Sequence, residues 1–216
     1  MSYKTHPFYT HQPYLLEVLR NTSGDILECG CGEGSTYMIR NRIKGTNRRL
    51  VSIESNLEWL DKYRHLQDPS HLLYHVPAGN VDSMTTGRVW TSFIASELSD
   101  RQFDVVFIDS SPWLSRKCIF DYFKSKARVI VIHDFDYFPN NGLIGKTVQK
   151  ETRDGKEVIT CDLTGESKHY KLYYPPYSHF HCATGPPTLV CSDVLTEQEF
   201  SALTTAIDAA IPMYYT

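Results

Sequence analysis

Between residues 25 and 132, short β-branched runs alternate with longer amphipathic stretches. The runs are Asp25–Cys29, Arg49–Ile53, Leu72–Val76, Phe103–Ile108 and Arg128–Ile132. Two of them are almost continuously apolar, as strands covered on both faces must be. Helical periodicity falls between them, at Thr36–Ile43, Leu57–Leu66, roughly Thr91–Leu98 and Leu114–Lys126. Strands spaced by roughly 22 to 31 residues leave room for one crossover helix each, which predicts βαβ units and a parallel sheet. A leading helix is expected over Pro13–Arg20.

Beyond residue 134 the pattern changes. Gly142–Lys150 reads as a short helix. Glu157–Cys161 and His169–Tyr174 flank the turn Thr164-Gly165-Glu166-Ser167 and read as a hairpin. Thr188–Cys191 is a further strand, and a Thr196-x-x-Glu199 capping box opens a last helix to about Ala210. With no internal repeat and no linker, residues 1–216 are expected to form a single α/β domain.

Composition narrows the class. Ten Phe, 3 Trp and 14 Tyr in 216 residues exclude intrinsic disorder and fibrous repeats. A net charge of −3 gives no general attraction to nucleic acid or anionic membrane. No apolar run reaches the roughly 20 residues of a membrane span, and the first residues lack the apolar core of a signal peptide. A cytoplasmic location with the six cysteines reduced is the corresponding expectation.

The most informative stretch is Glu28-Cys29-Gly30-Cys31-Gly32-Glu33-Gly34, between the first strand and a helix. Alternate glycines permit positive φ and close backbone approach, as a cofactor lying across strand ends requires. Glu54 closes the second strand, where a carboxylate can accept both hydrogen bonds of a ribose diol. Asp109 ends the fourth strand and Ile132-His133-Asp134-Phe135-Asp136 the fifth. Carboxyl ends of adjacent parallel strands face one crevice, so Asp109, His133 and Asp134 should converge there.

The E-x-G-x-G-x-G loop, the strand-end Glu54 and the Phe103–Asp109 strand together resemble class I S-adenosylmethionine-dependent methyltransferases over roughly residues 24 to 135. That resemblance implies a Rossmann-like, doubly wound, mostly parallel sheet with a C-terminal antiparallel hairpin and final helix. It also implies S-adenosylmethionine as cofactor. Glu28, Gly30, Gly32 and Gly34 would serve its methionine part, Glu54 its ribose, and Gly79 and Asn80 its adenine. Asn80 stands where the family usually has Asp.

Two arrangements of the reacting groups follow. Catechol-type and macrolide-sugar O-methyltransferases are similar in having acids after the fourth and fifth strands. By that likeness Asp109 and Asp134 would hold Mg²⁺ or another divalent cation that lowers the pKa of an acceptor hydroxyl. Phe135 replaces the ligating Asn of the catechol type, and Ser110-Ser111-Pro112 replaces its lysine-bearing stretch. Alternatively His133 is a general base needing no metal, and the His133-Asp134 ending resembles that of polysaccharide O-methyltransferases.

The expected function is therefore O-methylation of a sugar, glycan or small-molecule hydroxyl, with a homodimer possible. RNA methylation is the alternative raised by Arg40, Arg42, Lys44, Arg48 and Arg49. Aminopropyl transfer is another, because Asp109-Ser110-Ser111 resembles spermidine synthases, and a non-catalytic cofactor-binding subunit is the last. His179, His181, Cys182 and Cys191 form a weaker candidate zinc set. Tyr170, Tyr173, Tyr174, Tyr177 and Phe180 could be core, a dimer interface or a stacking surface for the acceptor.

Overall fold

The structure is a computed structural model that describes residues 7–77, 83–111, 115–135, 144, 146–153, 156–175 and 187–215. The elements are α1 (Gln12–Arg20), β1 (Asp25–Cys29), α2 (Thr36–Ile43), β2 (Leu50–Glu54) and α3 (Leu57–Asp61), then β3 (His71–His75), α4 (Ser83–Glu97) and β4 (Phe103–Ile108). These are followed by α5 (Ser115–Phe123), β5 (Val129–Ile132), β6 (Lys146–Arg153), β7 (Lys156–Asp162), β8 (His169–Tyr173), β9 (Thr188–Ser192), α6 (Glu197–Ala210) and α7 (Pro212–Tyr215).

Seven strands form one sheet in the order β3-β2-β1-β4-β5-β9-β8. β1 to β5 are mutually parallel. β9 runs antiparallel to both β5 and β8. Consecutive residues of each central strand serve opposite layers. Ile26, Val105 and Val129 join a cluster with Tyr14, Ile39, Phe200 and Ile207 from α1, α2 and α6. Leu27, Val106 and Ile130 join the other, with Trp90 and Ile94 of α4 and Phe120 of α5. Each such buried side chain contributes roughly 1.5–3 kcal/mol over its exposed state, so the doubly wound sandwich follows from the unbroken apolar runs.

The strand order reverses between β1 and β4. Outside the carboxyl ends of those two strands lies the crevice where doubly wound sheets receive ligands.

Four expectations are corrected. α4 begins at Ser83, well before Thr91. The Leu57–Leu66 stretch is one helical turn or so at Leu57–Asp61, then a 3₁₀ turn at Arg64–Leu66. The helix expected over Gly142–Lys150 is instead strand from Lys146, paired antiparallel with β7 in a two-stranded ribbon. Glu157–Cys161 and His169–Tyr174 consequently do not form a hairpin with each other. The first pairs with β6 and the second with β9, although the turn after Leu163 is present. The Thr196–Glu199 capping box forms as expected and starts α6 at Glu197.

Candidate active site

The loop after β1 is fixed from beneath. Gly30 takes φ +95°, and a Cβ there would sit 2.6 Å from the Asp109 carbonyl oxygen of the neighbouring strand end. Only glycine fits so close an approach with that backbone. Glu28 points inward and is wholly buried. Its carboxylate accepts from Thr36 Oγ1 at 3.0 Å and Ser52 Oγ at 2.6 Å. Thr36 Oγ1 in turn accepts the Gly32 N–H at 2.9 Å, and His71 Nε2 lies 2.9 Å from Ser52 Oγ. Burial pushes the Glu28 carboxyl up to about 7, against the lowering effect of the Ser52 and Thr36 hydrogen bonds. Burial also lowers His71 to about 4. Glu28 thus touches the loop through Thr36 and does not line the crevice.

The crevice has two adjoining lobes of about 530 and 450 Å³, sharing Cys31, Trp59, Asp109 and Ser111. Each volume suits a small organic ligand. Glu54 lines the smaller lobe with Ser55 and Asn56. Its Oε2 accepts the Cys31 N–H at 3.0 Å, and its Oε1 accepts the Ser55 and Asn56 N–H groups at 2.8 and 2.9 Å. A carboxylate has about four lone-pair sites, so acceptor capacity remains for a diol. Trp59 Nε1–H donates to the Cys31 carbonyl, which fixes the indole at the partition.

The larger lobe is walled by the glycine loop and by the segment preceding α1: Phe8, Tyr9 and His11. Gly34 makes that wall possible. A Cβ on it would meet the Phe8 carbonyl oxygen and Tyr9 Cδ1, both at 2.7 Å. Gly79 and Asn80, the residues expected beside an adenine, lie outside the described residues.

Asp109, His133 and Asp134 do converge. His133 Nδ1 lies 3.2 Å from Asp109 Oδ2, and its Nε2 lies 3.1 Å from Asp134 Oδ1 and 2.9 Å from Thr10 Oγ1. Arg116 braces the group from α5. Its Nη2 donates to Asp109 Oδ1 at 3.0 Å, its Nε to the Ser110 carbonyl and its Nη1 to the His133 carbonyl. Burial alone would lower the His133 pKa, but Asp134 and Asp109 on either side outweigh it and raise it. Burial would likewise raise Asp109, but the His133 and Arg116 charges hold it well below the usual carboxylate range. Burial raises Asp134. Asp134 is also the one described non-glycine residue with positive φ, at +50°, a conformation that Asp tolerates at some cost.

Thr10, His11 and Arg116 were not foreseen from sequence. Thr10 and His133 are 123 positions apart, so no local motif joins them. Of the basic run, Arg42, Lys44 and Arg49 are exposed, and the other two side chains are engaged within the chain. Arg48 turns inward onto the Gly24 and Leu19 carbonyls, and Arg40 pairs with Asp68. Tyr173 is core, stacked on Tyr14 with centroids 4.7 Å apart. Tyr177, Phe180, His179, His181 and Cys182 lie outside the described residues. No described helix is long and apolar enough to cross a membrane.

No protein-family model and no curated protein matches the chain. Solved structures do. The chain is similar to human methyltransferase-like protein 13 in complex with S-adenosylhomocysteine, at 13% identity over 96% of this chain and 93% of that one, with a TM-score of 0.54. It is also similar to the spermidine synthase of Thermotoga maritima, at 14% identity over 95% and 71% of the two chains, with a TM-score of 0.52. A spermidine synthase holding the transition-state analogue AdoDATO gives 13% identity over the same shares and a TM-score of 0.54. The fold is therefore the Rossmann-like fold of class I S-adenosylmethionine-dependent methyltransferases, which spermidine synthases share.

Proposed function

We propose that the chain is an S-adenosylmethionine-dependent O-methyltransferase acting on a hydroxyl of a sugar or glycan. The observation that carries the reading is an imidazole held between two carboxylates at the strand ends beside the glycine loop. In this reading the smaller lobe holds the adenosine, with Glu54 on the ribose hydroxyls and Gly79 and Asn80 near the adenine. Gly30, Gly32 and Gly34 let the methionine part lie against the backbone, and Glu28 supports Gly32 through Thr36 without touching the cofactor. Human methyltransferase-like protein 13, crystallised with S-adenosylhomocysteine, is consistent with that cofactor.

Methyl transfer is an in-line displacement. The oxygen–carbon bond forms as the carbon–sulfur bond breaks, the sulfonium leaves as a neutral thioether, and the hydroxyl must lose its proton. The His133–Asp134 pair takes that proton, while Asp109 and Arg116 hold the ring in place. Because the flanking carboxylates raise the His133 pKa, the rate should rise with pH through a value above the ordinary 6.5. Phe8, which is 69% exposed, with Tyr9 and Trp59, offers flat apolar faces to sugar C–H groups at the larger lobe.

Aminopropyl transfer is the second reading, favoured by the spermidine synthase likeness. A polyamine is a polycation, and Arg116 and His133 already pair with the Asp109 and Asp134 carboxylates that would otherwise hold it. Calorimetry with S-adenosylhomocysteine, followed by transfer assays on saccharides, catechols, RNA and putrescine, tests the reading. Saccharide methylation supports it. Aminopropyl transfer from the decarboxylated cofactor to putrescine, or methylation of RNA alone, overturns the acceptor class, and no cofactor binding overturns the reading entirely.

A further inference from the structure

We propose that His11, Asp109 and His133 bind a divalent transition-metal ion at the floor of the larger lobe, through two imidazole nitrogens and one carboxylate oxygen. Each residue offers a donor atom within 4.8 Å of the other two, and all three line the cavity. The ring centroids of His11 and His133 are 4.3 Å apart, edge to face.

His11 is the independent pointer. It is 1% exposed, yet neither ring nitrogen makes a well-formed hydrogen bond among the described residues, although the Gly34 backbone lies near. Buried polar groups are nearly always satisfied, so a cavity-lining imidazole with a loose Gly34 contact as its one backbone partner among the described residues has a nitrogen left for a ligand.

The surrounding groups already orient the other two donors as metal sites require. Arg116 occupies Asp109 Oδ1 and leaves Oδ2. Thr10 and Asp134 engage His133 Nε2 and leave Nδ1, the nitrogen facing Asp109. Around an ion with ligand bonds near 2.1 Å the donors would stand about 3.4 Å apart, within reach of small side-chain rotations. Two nitrogens and one oxygen suit Zn²⁺ or Co²⁺ better than Mg²⁺, which prefers an all-oxygen shell. The composition thus differs from a hard-cation site on Asp109 and Asp134. Three protein ligands would leave a fourth position for a water or an acceptor oxygen. That role rests on the proposed methyl-transfer reading, whereas binding of the ion does not. With the ion bound, His133 would serve as a ligand, the hydroxyl proton would pass to Asp134, and the rise of rate with pH assigned above to a metal-free His133 would be lost.

The test uses the full chain, stripped of metal and titrated with Co²⁺ or Zn²⁺ by calorimetry and by the visible absorption of Co²⁺. The expected result is one ion per chain. Affinity should fall at least about 100-fold in both His11→Ala and His11→Gln and clearly less, by roughly 10-fold, in Asp134→Asn, which removes only a partner of the ligand His133. S-adenosylhomocysteine affinity, measured on the same samples, reports that each variant is folded. No stoichiometric binding to the wild-type chain overturns the proposal. So does unchanged binding in the two His11 variants, loss confined to Asp134→Asn, or binding of Mg²⁺ but not Co²⁺. A chain that binds S-adenosylhomocysteine and no ion overturns this site alone, whereas one that binds the ion but no S-adenosylhomocysteine overturns the methyltransferase reading instead.

Discussion

In the lobe lined by Glu54, one carboxylate meets three backbone N–H groups, each at 2.8 to 3.0 Å. In the lobe lined by His133, two carboxylates, two imidazoles and a guanidinium crowd together, and among the described residues the His11 nitrogens make no well-formed hydrogen bond. The two lobes share a partition of Cys31, Trp59, Asp109 and Ser111. Their difference shows two ways of preparing a site. The first is satisfied in advance, so a ligand can add to it with little rearrangement. The second holds displaced pKa values and a positive-φ aspartate, the kind of stored tension found where protons move.

The largest expected effect separates the lobes directly. His133→Ala should lower turnover roughly 10²- to 10⁴-fold, the usual worth of a positioned proton acceptor, while S-adenosylhomocysteine affinity barely changes. Single-turnover kinetics and calorimetry on one preparation read both numbers. Normal turnover would move the proton elsewhere, and an equal loss of cofactor affinity would erase the division of labour.

Gly34→Ala probes the wall between the loop and the N-terminal segment. The new methyl would collide with the Phe8 carbonyl at 2.7 Å and displace the segment that carries Thr10 and His11. A loss of about 1–3 kcal/mol in stability is expected, as for other overpacked sites. Turnover should fall with it, because Thr10 contacts His133. Thermal denaturation showing wild-type stability would mean that the wall yields freely.

Glu54→Ala acts on the other lobe. Removing a charged acceptor from ribose hydroxyls should weaken S-adenosylhomocysteine by about 1–3 kcal/mol. Turnover at saturating cofactor should stay within a few-fold. A variant that binds as tightly as wild type removes Glu54 from the cofactor site.

How far sequence reaches divides along similar lines. β1 (DILEC) and β4 (FDVVFI) match their expected limits because each is a short, largely apolar run, too brief for a helix and bounded by turn residues. β6 (KTVQKETR) carries no such run. Its pairing with β7 is decided by the partner strand, and the pairing of β8 with β9 across the sheet is decided by tertiary context. Asp109, His133 and Asp134 could be brought together on paper because strand ends share an edge. Thr10 and His11 could not, since the segment before α1 reaches the cleft only by packing on Gly34. Arg48 illustrates the converse, a charge that reads as surface and spends its donors on backbone carbonyls.

The smallest effect concerns the support beneath the loop. A buried carboxyl raised from 4.5 to about 7 keeps its proton in the folded chain over that interval, while the unfolded chain releases it. The folded state then binds more protons, so this group's contribution to stability falls as pH rises from about 4.5 to 7. A shift of that size caps the cost at about 3 kcal/mol at pH 8. Glu28→Gln abolishes the ionisation but disturbs the bonds from Thr36 and Ser52, worth about 1–2 kcal/mol together. The net expectation is a variant roughly 1 kcal/mol more stable than wild type at pH 8, and equal or less stable at pH 5, where Glu28 is protonated anyway. Denaturant melts at the two pH values read the crossing. Parallel stability profiles for the two proteins between pH 5 and 8 would show that Glu28 is ionised throughout, and the loop would then rest on a buried charge instead of a buried acid.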